Sequence, residues 1–284
     1  MKPTLIASIL SLALAASGRV CKVSSQSSSN IPSSSPSSPS STAPFINPTT
    51  TISTVPSSTT SSTPSYPKGT GIQLVSSCKN PKHWGVTYDD GPTQYADIML
   101  DLFKKYNIKA TFFVTGNLYI KASDPEWSRI IKRMDDEGHI IGNHTFDHIK
   151  LGLLSIDEIK NELLLVEDAL FDVIGKKPAF MRLPNLSGGN NSTISETLES
   201  LGYNAMVNCN VDTKDYANGG DKEYAVSALS EQLGNSIITL NHLEYNNANA
   251  TNIIELATAE IEYMLANGYK PVTMEECLGI SGYQ

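Results

Sequence analysis

Between residues 84 and 273 the sequence alternates short apolar, strand-like runs with longer stretches of helical periodicity. Strand-like runs fall at 84–88, 110–114, 139–141, 178–181, 204–207, 236–240 and 271–273, and helical stretches at 95–106, 125–137, 155–175, 194–201, 223–233 and 253–266. Repeated strand-then-helix order is the signature of parallel pairing, because a parallel return needs a crossover long enough to hold a helix. One helix is marked at both ends. Ser155 and Glu158 have capping-box spacing ahead of Ile159, Leu163, Val166 and Leu170, and Gly175 follows as a stop.

About seven strand–helix pairs suit either an open doubly wound sheet or a closed barrel. The polar residues favour one of them. Asp89 and Asp90, His144, Arg182, Asp212 and His242 each fall just past the C-terminal end of a different strand, where both architectures build their sites. Contributions from so many strands to one ring fit a barrel, whereas an open sheet gathers its site at one switch point. The expected fold is α/β, a distorted (β/α)7-type barrel with the site at the C-terminal ends of the strands.

The N-terminal part is of another kind. Lys2 precedes an apolar run from Leu5 to Ala16, and Ala16-Ser17-Gly18 offers a short-side-chain cleavage context, so residues 1–18 are expected to be a secretory signal peptide. The run is shorter than the ~20 residues a bilayer span needs, and no apolar tail follows Cys277 to direct a lipid anchor. Residues 19–70 are dominated by Ser, Thr and Pro. Such a segment cannot bury enough apolar surface to offset the entropy of ordering it, and is expected to be a disordered stalk open to O-linked sugars. The folded domain is then 71–284.

Four cysteines, Cys21, Cys78, Cys209 and Cys277, enter an oxidising compartment on this reading. Cys78 and Cys277 bracket the domain and are expected to be bridged, Cys209 reads as a small buried thiol, and Cys21 is left unassigned. Sequons begin at Asn185, Asn190, Asn191 and Asn249. A net charge of −8 argues against nucleic acid or an anionic polymer as partner, and a neutral polymer fits better.

The chemistry concentrates in two segments. Thr87-Tyr88-Asp89-Asp90-Gly91-Pro92 sets two carboxylates at a strand end; adjacent side chains of extended backbone point oppositely, so the two can have separate tasks. His144-Thr145-Phe146-Asp147-His148 places two imidazoles four residues apart, on one face if the stretch is helical. With one carboxylate they would form a two-His, one-carboxylate site with open positions, suited to zinc or another divalent transition metal.

These two motifs, followed in order by Arg182-Leu183-Pro184, Asp212-Thr213-Lys214-Asp215-Tyr216 and Leu240-Asn241-His242, make the chain resemble the polysaccharide deacetylases with a NodB-type domain (carbohydrate esterase family 4), fungal chitin deacetylases in particular. The resemblance implies hydrolysis of N-acetyl groups of chitin or chitin oligomers by a secreted, extracellular or wall-associated monomer. It implies one divalent ion, zinc or else cobalt, on Asp90, His144 and His148. Asp89 would be the general base, oriented by Arg182, and His242 the general acid, its imidazolium stabilised by Asp212. The Asn185 N–H would donate to the oxyanion, and Leu240 would line the acetyl-methyl pocket. Two positions depart from the family pattern: Asn185 stands where an aromatic residue is usual, and Tyr216 where Trp is usual, both along the sugar groove. His83 and His139 match nothing. An acetylxylan esterase or peptidoglycan deacetylase of the same family would use the same residues, and a non-catalytic chitin-binding wall protein would keep the groove without turnover.

Overall fold

The segment that begins at His83 serves two neighbourhoods. In the computed structural model, which describes residues 72–284, it divides at Val86 into β2 (His83–Gly85) and β3 (Thr87–Gly91). The remaining strands are β1 (Leu74–Val75), β4 (Thr111–Val114), β5 (Ile140–Asn143), β6 (Phe180–Met181), β7 (Ala205–Val207), β8 (Val211–Asp212), β9 (Ile237–His242) and β10 (Lys270–Val272). The helices are α1 (Ala96–Tyr106), α2 (Pro125–Asp136), α3 (Ile156–Ile174), α4 (Ser192–Ser200), α5 (Asp215–Asn218), α6 (Lys222–Ser230), α7 (Ala250–Ala266) and α8 (Met274–Leu278). The expected signal peptide, the expected stalk and Cys21 lie outside the described residues.

Every strand pair is parallel, in the order β1-β7-β6-β5-β4-β3-β9-β2-β10, with β8 paired to β9. The expected parallel α/β architecture is therefore present. Its ladder has two ends, β1 and β10, and is not closed by strand pairing among the described residues. The alternation of side chains along the strands sorts the core into two faces. Phe112 and Ile237 belong to the apolar cluster with Trp84, Phe103 and Trp127, whereas their neighbours Phe113 and Ile238 belong to that with Phe180, Leu240 and Cys277.

Helix ends follow the sequence cues. Ser155 and Glu158 form the capping box of α3, and Gly175 ends that helix in the left-handed region at φ 67°. Cys78 and Cys277 are bridged, their Cα atoms 4.6 Å apart, which fastens the start of the domain to α8. Cys209 corrects an expectation: it is disulfide-bonded rather than a free thiol. An apolar neighbourhood hides a disulfide as well as a thiol, so burial could not separate the two.

Candidate active site

Asp89 and Asp90 reach the same cavity although they are consecutive. The backbone explains this. The β3–β4 register shifts between Asp89 and Gly91, and Asp90 takes φ +69°, so the chain leaves extended geometry there and the second carboxylate is re-aimed, as bulges at strand ends do. The two carboxylates are not pointed to opposite faces, contrary to the expectation for a regular strand.

The His144–His148 segment is not helical either; Thr145 and His148 are left-handed at φ +66° and +52°. These two turns fold the loop so that the rings lie 5.0 Å apart. Asp90 Oδ1 is 3.2 Å from Nε2 of both His144 and His148, yet this buried oxygen has no properly directed hydrogen bond. His144 Nδ1–H donates to the Arg182 carbonyl at 2.7 Å, which leaves Nε2 as a bare acceptor. Three acceptor atoms within 4.8 Å of one another, one of them orphaned, fit a divalent cation. Burial alone would raise the Asp90 pKa; the proximity of His144, then His242 and His148, outweighs it and holds the carboxyl well below its ordinary range.

Arg182 is buried beneath this cluster with all three guanidinium nitrogens hydrogen-bonded. It donates to Asp89 Oδ1 at 2.8 Å, Thr87 Oγ1 at 2.7 Å and the Val207 and Asn208 carbonyls at 3.2 Å each, and it lies 4.6 Å from the Phe113 ring centroid. Hydrogen bonds at every nitrogen help a buried ion pair to persist. The other oxygen of Asp89 stands 3.9 Å from His144 Nε2.

On the neighbouring strand β9, His242 is the register partner of Asp89. Its Nδ1–H donates to Asp215 Oδ1 at 2.8 Å and its backbone N–H to Asp215 Oδ2, while Nε2 faces the cavity 4.0 Å from Asp90. Burial would lower the imidazole pKa, but the Asp215 charge and hydrogen bond, with Asp90 and Asp89, push it up to about 10. The partner of His242 is thus Asp215 and not Asp212. Lys214 turns left-handed at φ +54°, its N–H bonded to Asp212 Oδ1, and the reversal brings Asp215 round beneath the imidazole. Asp212 instead accepts the Tyr216 hydroxyl at 3.1 Å, and the Tyr216 ring meets His242 edge-on at 5.5 Å.

The cavity has a volume of about 560 Å³, and Asn185, Tyr216 and Leu240 all line it together with Asp89, Asp90, His144, His148, Asp212 and His242. A family model described as polysaccharide deacetylase matches residues 76–206. A chitin deacetylase of a Pestalotiopsis species is 34% identical over 76% of this chain and 69% of its own. The chitin deacetylase of Colletotrichum lindemuthianum is 34% identical over 75% of this chain and 85% of its own. This chain belongs to the polysaccharide deacetylase family. The solved structure of the chitin deacetylase from Colletotrichum lindemuthianum agrees at TM-score 0.68 and 30% identity, covering 75% of this chain and 95% of that one.

Several walls of this polysaccharide deacetylase's cavity escaped sequence reasoning: Tyr119, Glu244, Tyr245 and Asn246 sit in loops with no periodic signal. Glu260 was missed as well. It is buried on α7 and accepts from Asn241 Nδ2 at 3.0 Å, while Asn241 Oδ1 accepts from Thr213 at 2.8 Å. The helical spacing of α7 gives that position to the core face, so a charged residue there was the available clue.

Proposed function

We propose that this chain removes N-acetyl groups from chitin or chitin oligomers, giving chitosan and acetate. The observation that carries the reading is the juxtaposition of Asp90, His144 and His148 between an Arg182-held Asp89 on β3 and an Asp215-held His242 on β9. Family membership and fold support deacetylation of a polysaccharide; two relatives named as chitin deacetylases and the acidic chain favour a neutral N-acetylated polymer over an anionic one.

Asp90, His144 and His148 would hold a divalent ion, zinc or else cobalt, which when bound would supply Lewis-acid polarisation of a carbonyl and a lowered pKa of water. Asp89, fixed by Arg182, takes the proton of the attacking water. The Asn185 N–H has no acceptor among the described residues and is the donor to the developing oxyanion. His242, protonated through neutral pH because Asp215 stabilises the imidazolium, gives its proton to the departing amine. Leu240 packs against the acetyl methyl, and Tyr216 with Asn185 borders the sugar. The chain acts as a monomer outside the cell or in the wall, carried there by the 1–18 signal peptide and spaced by the 19–70 stalk. Among the described residues no helix is long and apolar enough to cross a membrane.

The test is acetate release from chitin oligomers, acetylated xylan and peptidoglycan fragments, each with and without chelator. Chelator-sensitive release from chitin oligomers is expected. Release confined to xylan or peptidoglycan would overturn the substrate, and indifference to chelator would overturn the metal.

A further inference from the structure

His144 and His148 are held in different ways. The His144 ring is oriented by its own hydrogen bond to the Arg182 carbonyl, but no hydrogen bond to His148 Nδ1 occurs among the described residues. Its half-buried ring meets the His144 ring at 5.0 Å and is otherwise aimed by the backbone, in the left-handed region that few non-glycine residues occupy. The source of that constraint is one turn of α3. The Phe146 N–H donates to the Glu162 carbonyl at 3.1 Å. The Asp147 N–H donates to the Glu162 side chain, Oε2, at 2.9 Å. Asn143 Nδ2 donates to the Leu163 carbonyl at 3.0 Å, and its Oδ1 accepts from the Thr145 N–H at 2.8 Å.

The opposite flank of the loop is closed by Gly116, where a Cβ would stand 2.0 Å from the Phe146 ring. Between these supports, the Phe146–Asp147 peptide, one removed from His148, is held at its carbonyl by the Gly116 and Asn117 N–H groups at 3.1 and 2.9 Å and at its N–H by the Glu162 side chain. Glu162 is buried on the inner face of α3 and, among the described residues, forms no ion pair with a basic side chain that would account for a charge there.

We infer that Glu162 is a positioning residue of the metal centre: by accepting the Asp147 N–H it sets the left-handed turn that carries His148 Nε2 to Asp90. The inference rests on the metal reading of Asp90, His144 and His148. Outer partners that orient a ligand typically contribute 10–100-fold to metal affinity, and an effect of that order is expected here although Glu162 acts through the backbone.

The experiment measures zinc affinity by chelator competition, and the cobalt absorption spectrum, for the wild-type protein, His148→Ala, Glu162→Ala, Glu162→Gln and Glu162→Asp, with the thermal stability of each metal-free form alongside. If the wild-type protein binds no ion, or His148→Ala binds as well as wild type, the metal reading itself fails. Given wild-type binding, Glu162→Ala is expected to weaken affinity by about 10–100-fold and alter the cobalt spectrum. Glu162→Gln, which keeps an acceptor oxygen at the same reach, should stay within about threefold of wild type, below that range. Unchanged affinity in a folded Glu162→Ala, even with lowered metal-free stability, would make Glu162 scaffold only and overturn the inference. Should Glu162→Ala not fold, Glu162→Asp decides: its shorter arm must weaken binding where Gln does not, and equal affinities overturn the inference.

Discussion

Replacing Glu260 by Gln tests whether a neutral carboxyl lies behind the His242 strand. Burial, then the charge of Asp215, pushes the Glu260 pKa up from 4.5 to about 8, with the Asn241 hydrogen bond opposing. The sign follows from proton counting. Between those two values the folded protein keeps a proton that the unfolded chain releases, so folding stability falls as pH rises through the window. At about 1.4 kcal/mol per pH unit for a fully linked proton, and with the slope dying out near the folded pKa, the loss from about pH 5 to about pH 8 is roughly 3 kcal/mol. Gln removes the titration and keeps an amide oxygen for Asn241. Urea unfolding of metal-free wild type and Glu260→Gln across that range, at constant ionic strength with disulfides intact, should show the variant gaining on wild type by roughly 3 kcal/mol as pH rises, other ionisations cancelling in the difference. Parallel stability–pH curves would refute the argument and mean that Glu260 is ionised in place.

Three other outcomes separate the roles of neighbouring residues. His148→Ala should lose most bound metal with activity, whereas Asp89→Asn should keep the metal and lose turnover; elemental analysis beside acetate release distinguishes them, and equal metal loss would contradict the division. Asp215→Asn should lower kcat by about 10²-fold or more, the scale of a general acid–base contribution, while Asp212→Asn, which touches Tyr216 and Lys214 instead, should act mainly on KM; steady-state kinetics on chitin oligomers decide, and the reverse ranking would restore Asp212 as the partner of His242. Asn185→Tyr should lower KM for those oligomers with little change in kcat, since the oxyanion donor is a backbone N–H, and a collapse of kcat would mean the residue is misplaced.

What the sequence disclosed depended on how local the cause was. The 3.6-residue periodicity of α1, α2, α3 and α7 and the Ser155–Glu158 box are written within single turns, and were readable to within a few residues. The two-residue strands β1 and β8 exist only through distant partners on β7 and β9, so nothing in their own neighbourhoods announced them. The spacing of His144 and His148 was visible, but not the left-handed turns that make it productive, because φ at Thr145 and His148 is set by packing on α3. Asp212 and Asp215 illustrate the same limit within one pentad. Both carboxylates were in view, and choosing between them required the reversal at Lys214.

The Cys78–Cys277 bond gives the catalytic region the connectivity of a ring. Asp89, Asp90, His144, His148, Arg182, Asp215 and His242 all lie on the arc between the two cysteines, a sequence separation of 199. A protease that cuts this arc once, in any exposed loop, releases no fragment: the two pieces stay joined through the sulfurs, and the strands keep their neighbours. A single nick would therefore leave one molecule able to re-form its own site, and separation of the halves would take a reductant or a second cut.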